Sequence, residues 1–287
     1  MITKTKLPYL IKLLDDQDPA IQAALKDEFA ECSGDLSNEL TALGLEVDLS
    51  QQDKMKLSKL LLPARRETLI NEWQIPAGGR AAMADDWDSF EYHLRLISDY
   101  LHNGISLRPT LSDALDLLAD EFSSEHENES LNADKLRVWM FTNEKFKGNT
   151  EQYYLPHNND LCWVIDSEKG NPISLATLFI LVARRLNLDV SGCNYPGHFL
   201  ARIFLDDEMQ LVDCFHKGRL IPAKKVIAEH KDISIKAKLA ISAHASLGDI
   251  LLRFVKNIEY SFKQSSNLSP NSPDLKLITT LVKSLQK

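Results

Sequence analysis

Little in this sequence suits a membrane span, a disulfide scaffold or a nucleic-acid surface. No apolar run approaches the ~20 residues needed to cross a bilayer. The start, MITKTKLPYLIKLLDDQD, has only a short apolar stretch with acidic residues directly after it. That segment is expected to be an amphipathic helix, not a secretory leader. Four cysteines occur in 287 residues: Cys32, Cys162, Cys193 and Cys214. They lie far apart in a chain long enough to bury its own core, so free thiols in a reducing cytoplasm are expected. There is no strong Lys/Arg run, and the formal net charge is −8. Tracking a phosphate backbone needs a concentrated basic surface, so neither nucleic acid nor a membrane is an expected partner.

What the chain does have is helical periodicity. Leu7, Leu10, Leu13 and Leu14 form one stripe, and Asp18-Pro19 then supplies an N-cap and a first-turn proline for a helix carrying Ile21, Leu25 and Phe29. This pair is like a HEAT unit, although no second copy follows at a fixed period. Helices are predicted over about 54–73, 85–101 and 132–146, with another from Thr110 to near Phe122. IPAGGRAA reads as a flexible connection with a soft boundary near residue 78. After residue 187 the pattern turns strand-like in DVSGCN, HFLARIFL and MQLVDCF, with a hairpin turn at DDE. Beyond Pro222 helices return, separated by a loop at SSNLSPNSPD. The layout predicts an α+β fold, with a small antiparallel sheet packed on a buried helix and α-helical segments flanking both.

The buried helix is GNPISLATLFILVARRL, residues 170 to 186, apolar on nearly every side. Asn171 is a good N-cap and Pro172 fits the first turn. A helix start of this kind has a positive dipole end and spare N–H groups that could steady an oxyanion or lower a thiol pKa. His198 opens a predicted strand with Leu200 and Arg202 on its face, and Asp213 lies on the next strand with Leu211 and Phe215. Pairing of those strands would let Asp213 orient the imidazole.

Five ordered blocks carry a resemblance. Gly148-Asn149, YYLPHNNDL (153–161), GNPISLATLFILVARRLNLDV (170–190), YPGHFLARI (195–203) and LVDCFHKGRLI (211–221) resemble the motif series of the SirB-type transglutaminase-like family. That series is roughly F-x-G-N, Y-x-x-P-x-N-S, G-I-P-I-S-L, P-G-H-F and D-P-F-x-x-G. The departures are Asn159 for Ser, Asn171 for Ile, Asn187 for Gly and Cys214 for Pro. The resemblance implies a papain-like transglutaminase core, with His198 and Asp213 on the family histidine and aspartate. The cysteine of active transglutaminase relatives falls at Pro172, which has neither a nucleophilic atom nor an N–H. The match covers about residues 141–221. With the soft boundary near residue 78 and the return of helices beyond Pro222, three regions are expected: a helical N-terminal region at 1–78, the transglutaminase-like domain at 79–222, and a helical segment at 223–287 that the resemblance implies is TPR-like.

Three functions compete. The first is a non-catalytic, regulatory module binding a protein or peptide partner, its cleft walled by Tyr154, Asn158, Asn171, Pro172 and Ser174. The second is a cysteine-type amide hydrolase or acyl transferase that uses His198 and Asp213 with a relocated nucleophile, Cys193 being the first candidate. The third is a helical-repeat adaptor with the core as scaffold. No cofactor is expected. The spacing of Cys193, His198, Cys214 and His216 fits no familiar zinc site, so no metal is expected. The oligomeric state is left open.

Overall fold

The computed structural model describes residues 5–45, 49–229, 234–264, 269 and 271–286. Half of the predicted 265–274 loop therefore lies outside the described residues. The chain divides into two compact units, residues 1–74 with 99–108, and residues 75–98 with 109–287.

The first unit is built from α1 (Leu7–Lys12), α2 (Pro19–Ala30), α3 (Ser37–Ala42) and α4 (Gln51–Glu72). Asp18 caps α2 by accepting from the Ala20 N–H, and Ser50 caps α4 by accepting from Asp53, three residues ahead of the predicted start. Leu7, Leu10 and Leu14 of the predicted stripe meet Leu25, Phe29, Leu40, Leu57 and Leu61 in one buried core, while Leu13 of that stripe is exposed. Arg65 is buried beside them, and its guanidinium donates to the carbonyls of Asn103 (2.7 Å) and Ser58 (3.3 Å). Gly104 has φ +72°, and a Cβ there would lie 2.3 Å from the Gly34 carbonyl oxygen, so this turn requires glycine.

The second unit holds most of α5 (Trp87–Leu101), then α6 (Leu111–Glu125), α7 (Ala133–Arg137), α8 (Leu161–Ser167) and α9 (Pro172–Arg185). After the sheet come α10 (Ala223–Glu229), α11 (Ile235–Ser242), α12 (Leu247–Gln264) and α13 (Pro273–Leu285). The helix predicted to 146 is shorter. α7 runs into a wider π turn at Val138–Thr142, and the chain leaves it as a short strand. α6 continues past Phe122 to Glu125.

Two small sheets complete this unit. β1 (Lys147–Gly148) and β2 (Lys169–Gly170) pair in parallel, Gly148 opposite Gly170. β3 (Ser191–Cys193), β4 (Leu200–Leu205), β5 (Glu208–Asp213) and β6 (Arg219–Pro222) form an antiparallel meander in that order. Asp206 and Asp207, both at positive φ, make the β4–β5 hairpin turn. β6 was not anticipated: four residues ending in proline carry no period-2 signal. α9 lies against β3 and β4, and every residue from Pro172 to Ala183 is buried. Phe179 meets Phe141 edge to face at 5.6 Å. The α+β layout is thus present, with the sheet on a buried helix and helices flanking both.

Two expectations about organisation need correction. The IPAGGRAA segment is not a loose connection. Gly79–Met83 is a 3-10 turn with Met83 fully buried, and Arg80 donates to Asp249 (2.9 Å) and to the Leu285 carbonyl (3.2 Å). The C-terminal helices are likewise not a separate region, because α12 packs on α9 and on the 79–83 turn and shares their unit. Apolar burial drives both outcomes: Ile250, Leu251, Phe254, Val255 and Ile258 are all within 1% of full burial. No helix among the described residues is long and apolar enough to cross a membrane.

Phe179→Ala is expected to cost about 3–5 kcal/mol, because it opens a cavity in a helix packed on all sides. Urea unfolding of the variant against the parent chain checks this; a loss below ~1 kcal/mol would contradict the central placement of α9.

Candidate functional site

Two Gly-Asn dipeptides build the foundation of the site. Gly148-Asn149 and Gly170-Asn171 lie side by side, joined by the Asn149 N–H donating to the Gly170 carbonyl at 2.9 Å. The glycines are needed for close approach. A Cβ at Gly148 would sit 2.7 Å from the Phe215 ring, and one at Gly170 would sit 2.7 Å from Ser174 Oγ. Each asparagine then grips one of two consecutive asparagines in the 3-10 turn at Pro156–Asn159. Asn149 Nδ2 donates to Asn158 Oδ1 (2.8 Å), and Asn171 Nδ2 donates to Asn159 Oδ1 (2.9 Å). Asn257 of α12 donates to that same Asn159 oxygen at 2.8 Å. Asn158 and Asn159 are fully buried, with Asn149 and Asn171 4% and 1% exposed.

The same arrangement closes the start of α9. Asn171 Oδ1 accepts from the Ser174 N–H (2.9 Å), and Ser174 Oγ accepts from the Asn171 N–H (3.0 Å), a reciprocal capping box. Pro172 at the first position has no N–H to give. The donors expected to be spare at this helix end are therefore largely consumed or absent.

Beside it, Asp213 ends β5 and caps the turn Cys214–His216. Its carboxylate is a hub: His198 Nε2 lies 2.9 Å from Oδ1, His216 Nδ1 lies 2.8 Å from Oδ2, and Arg219 Nη2 donates to Oδ2 at 3.1 Å. Burial of the 2%-exposed Asp213 would raise its pKa. The hydrogen bond and charge of His198, then those of His216, outweigh this and hold it down at about 2. With the carboxylate ionised, both rings present N–H to it, leaving Nδ1 of His198 and Nε2 of His216 as the outward atoms. His198 itself precedes β4, which begins at Leu200; the Pro196-Gly197 turn, with Gly197 at φ +82°, delays the strand.

The other predicted site residues scatter. Of those expected to wall a cleft, Tyr154 is 44% exposed, whereas Asn158, Asn171, Pro172 and Ser174 are buried. These four belong to the capping and amide network, a role that Asn and Ser take readily because one side chain both donates and accepts. Cys193 does not reach the dyad. It is fully buried with Leu200, Leu211 and Ile241, its Sγ donates to the Ala240 carbonyl at 3.2 Å, and burial pushes the thiol up to about 11. Burial likewise raises the Cys214 thiol well above its ordinary value. Both are poor nucleophiles in these surroundings. Sequence reasoning missed Arg219 and Asn257 altogether. Arg219 is six residues past Asp213 across the β5–β6 turn, and only the unforeseen strand brings it back.

His198, Asp213 and His216 hold their potential ligand atoms within 4.8 Å of one another, so these three could take a divalent ion. Their mutual hydrogen bonds already account for the arrangement, and the cationic Arg219 on the carboxylate opposes a dication. Neither Cys193 nor Cys214 joins this group among the described residues.

The model of the transglutaminase-like superfamily matches residues 109–256, just over half of the chain. The chain belongs to the transglutaminase-like superfamily. It is similar to a UPF0162 protein of Xylella fastidiosa, 41% identical over 88 residues, which cover 31% of each chain. It is also similar to a UPF0162 protein of Pseudomonas aeruginosa, 30% identical over 105 residues, covering 36% of this chain and 38% of that one. Human F-box only protein 21 is 28% identical over 160 residues, half of this chain and 24% of that protein. The chain thus spans about a third or less of the length of the first relatives it matches. No solved structure gives a significant match.

Asn159→Ala removes the acceptor of the buried Asn171 amide and the half-buried Asn257 amide, and a cost of about 1–3 kcal/mol is expected. Faster hydrogen exchange across residues 152–159 should accompany it; unchanged exchange there would show that the network does not fix the turn. A carboxyl with a depressed pKa contributes stability that is present above its unfolded value and lost as pH falls through its folded value. For Asp213 that window runs from ~4 down to about 2, and the amount is on the order of 2 kcal/mol. Asp213→Asn should be less stable than the parent at pH 7 and should lose less stability between pH 4 and pH 2. Parallel pH-dependent denaturation curves for the two chains would contradict this.

Proposed function

We propose that this chain carries a SirB-type, non-catalytic transglutaminase-like module that binds an extended segment of a protein partner in a regulatory role. One observation carries the reading. A His198–Asp213 pair oriented as in a nucleophile–histidine–acid triad accompanies a helix, packed on the 214–216 turn, whose start offers Pro172 where the thiol would be. The capping box at that start leaves little for an oxyanion. The raised Cys193 and Cys214 thiols weigh against a relocated nucleophile.

Other features support binding. Tyr153, Tyr154 and Tyr260 are all substantially exposed, an aromatic group of the kind enriched where one protein receives another. The match within F-box only protein 21 occupies 24% of that longer chain, which supports use of the core as one part among others.

Two measurements test the reading. Offered a glutamine-containing peptide with or without a primary amine, the chain should show no His198-dependent cleavage or transamidation; turnover abolished by His198→Ala would overturn the proposal. A photo-crosslinking residue at position 153 should capture a discrete protein from the native cell, and Tyr154→Ala should reduce that capture severalfold. Capture indifferent to Tyr154 would remove this face from the binding site.

A further inference from the structure

An unbroken series of aromatic rings runs from the His198–Asp213 pair to a surface pocket that the transglutaminase chemistry does not explain. His198 and His216 have ring centroids 5.8 Å apart, His216 and Phe215 5.2 Å, and Phe215 and Tyr153 5.7 Å. Tyr153 and Tyr154 follow at 5.1 Å, then Tyr154 and Tyr260 at 5.6 Å. All of these fall in the range for edge-to-face or offset contact. Tyr260 then lines a pocket of about 400 Å3 together with Lys236, Arg253 and Lys256.

The pocket is positively charged within a chain of net charge −8. Arg253, Lys256, Asn257 and Tyr260 fall at i, i+3, i+4 and i+7 on α12, so one helix face presents them together. The acid in the lining, Asp249, is already paired with Arg80 at 2.9 Å. Arg253 is half-buried and held by neutral oxygens, donating to Asn194 Oδ1 at 2.7 Å and the Tyr195 carbonyl at 3.4 Å. Among the described residues no carboxylate pairs with it. Burial lowers its pKa. A guanidinium withdrawn from water without a counter-charge is costly unless a partner supplies one, and its forked donors fit a carboxylate.

We infer that this surface binds an extended segment of a protein partner carrying an Asp or Glu side chain, its backbone running along Tyr153, Tyr154 and Tyr260 and its carboxylate on Arg253 and Lys256. The inference rests on the partner-binding reading above and specifies the chemistry of the partner. Two or three cations in one pocket are too few for a nucleic-acid backbone but suffice for one or two side-chain carboxylates.

The test selects phage-displayed random twelve-residue peptides, joined to the coat protein by their C-termini, on the full-length chain. Selected peptides should be enriched in Asp or Glu. A capped synthetic version, followed by fluorescence anisotropy, should bind Arg253→Gln about tenfold more weakly. The exposed substitution Lys256→Glu should weaken it too, which covers the case in which loss of Arg253 disturbs the fold. Replacing the peptide acid with Lys should restore binding to Arg253→Glu. Selected peptides with no acidic preference that still depend on Tyr154 would overturn the carboxylate inference and leave the partner-binding reading standing. No enrichment of any peptide would sink both. Arg253-dependent binding of a twelve-nucleotide single-stranded DNA, of vesicles of anionic lipid, or of a free peptide C-terminus, as tight as that of the acidic peptides, would assign the pocket to a different occupant and overturn the inference.

Discussion

Buried amide pairing is the constraint on which the rest of the second unit depends. Asn149, Asn158, Asn159, Asn171 and Asn257 tie together a two-residue parallel bridge, the turn before α8, the start of α9 and one face of α12. Asn149, Asn158, Asn159 and Asn171 each both donate and accept in the interior, and Asn257 donates to Asn159 from the half-buried face of α12. Withdrawing one leaves its neighbour unpaired in the interior, where the penalty of ~1–3 kcal/mol applies in full. Apolar burial holds α9 in place, but the amides fix where it begins and which residues face outward.

That placement decides what the neighbouring dyad can do. His198 is oriented by Asp213 through Nε2, and Asp213 is in turn shared with His216 and Arg219. A carboxylate serving three cationic or potentially cationic groups is more heavily engaged than orienting a single imidazole requires. The result is a polar edge continuous with the aromatic side chains of residues 153, 154 and 215.

The sequence made much of this legible, for identifiable reasons. The apolar run of 173–186, with Asn171-Pro172 in front, announced a buried capped helix because burial and capping leave local signatures. The hairpin of β4 and β5 was visible through alternation and the Asp206-Asp207 turn. What stayed hidden depends on distant partners. Arg219 returns to Asp213 only through β6, whose four residues carry no pattern. Asn257 is an ordinary polar residue until α12 docks, nearly a hundred residues from its partner Asn159. The expectation of a cleft walled by Asn158, Asn171, Pro172 and Ser174 came from the resemblance; the structure buries all four, because the amides and Ser174 find their partners inside. The glycines of IPAGGRAA suggested slack, but Gly79 and Gly78 serve a tight turn that Arg80 anchors to α12 and to the Leu285 carbonyl.

The reciprocal cap at Asn171 and Ser174 also bears on attempts to engineer activity. Introducing a sulfur at residue 172 would place it in a closed frame: Asn171 would remain bound to Asn159, and Ser174 would keep its N–H on the Asn171 amide oxygen. A thiol placed there would thus meet a helix start whose polar groups are already committed, and the amide lattice, more than the single side chain, would set its surroundings.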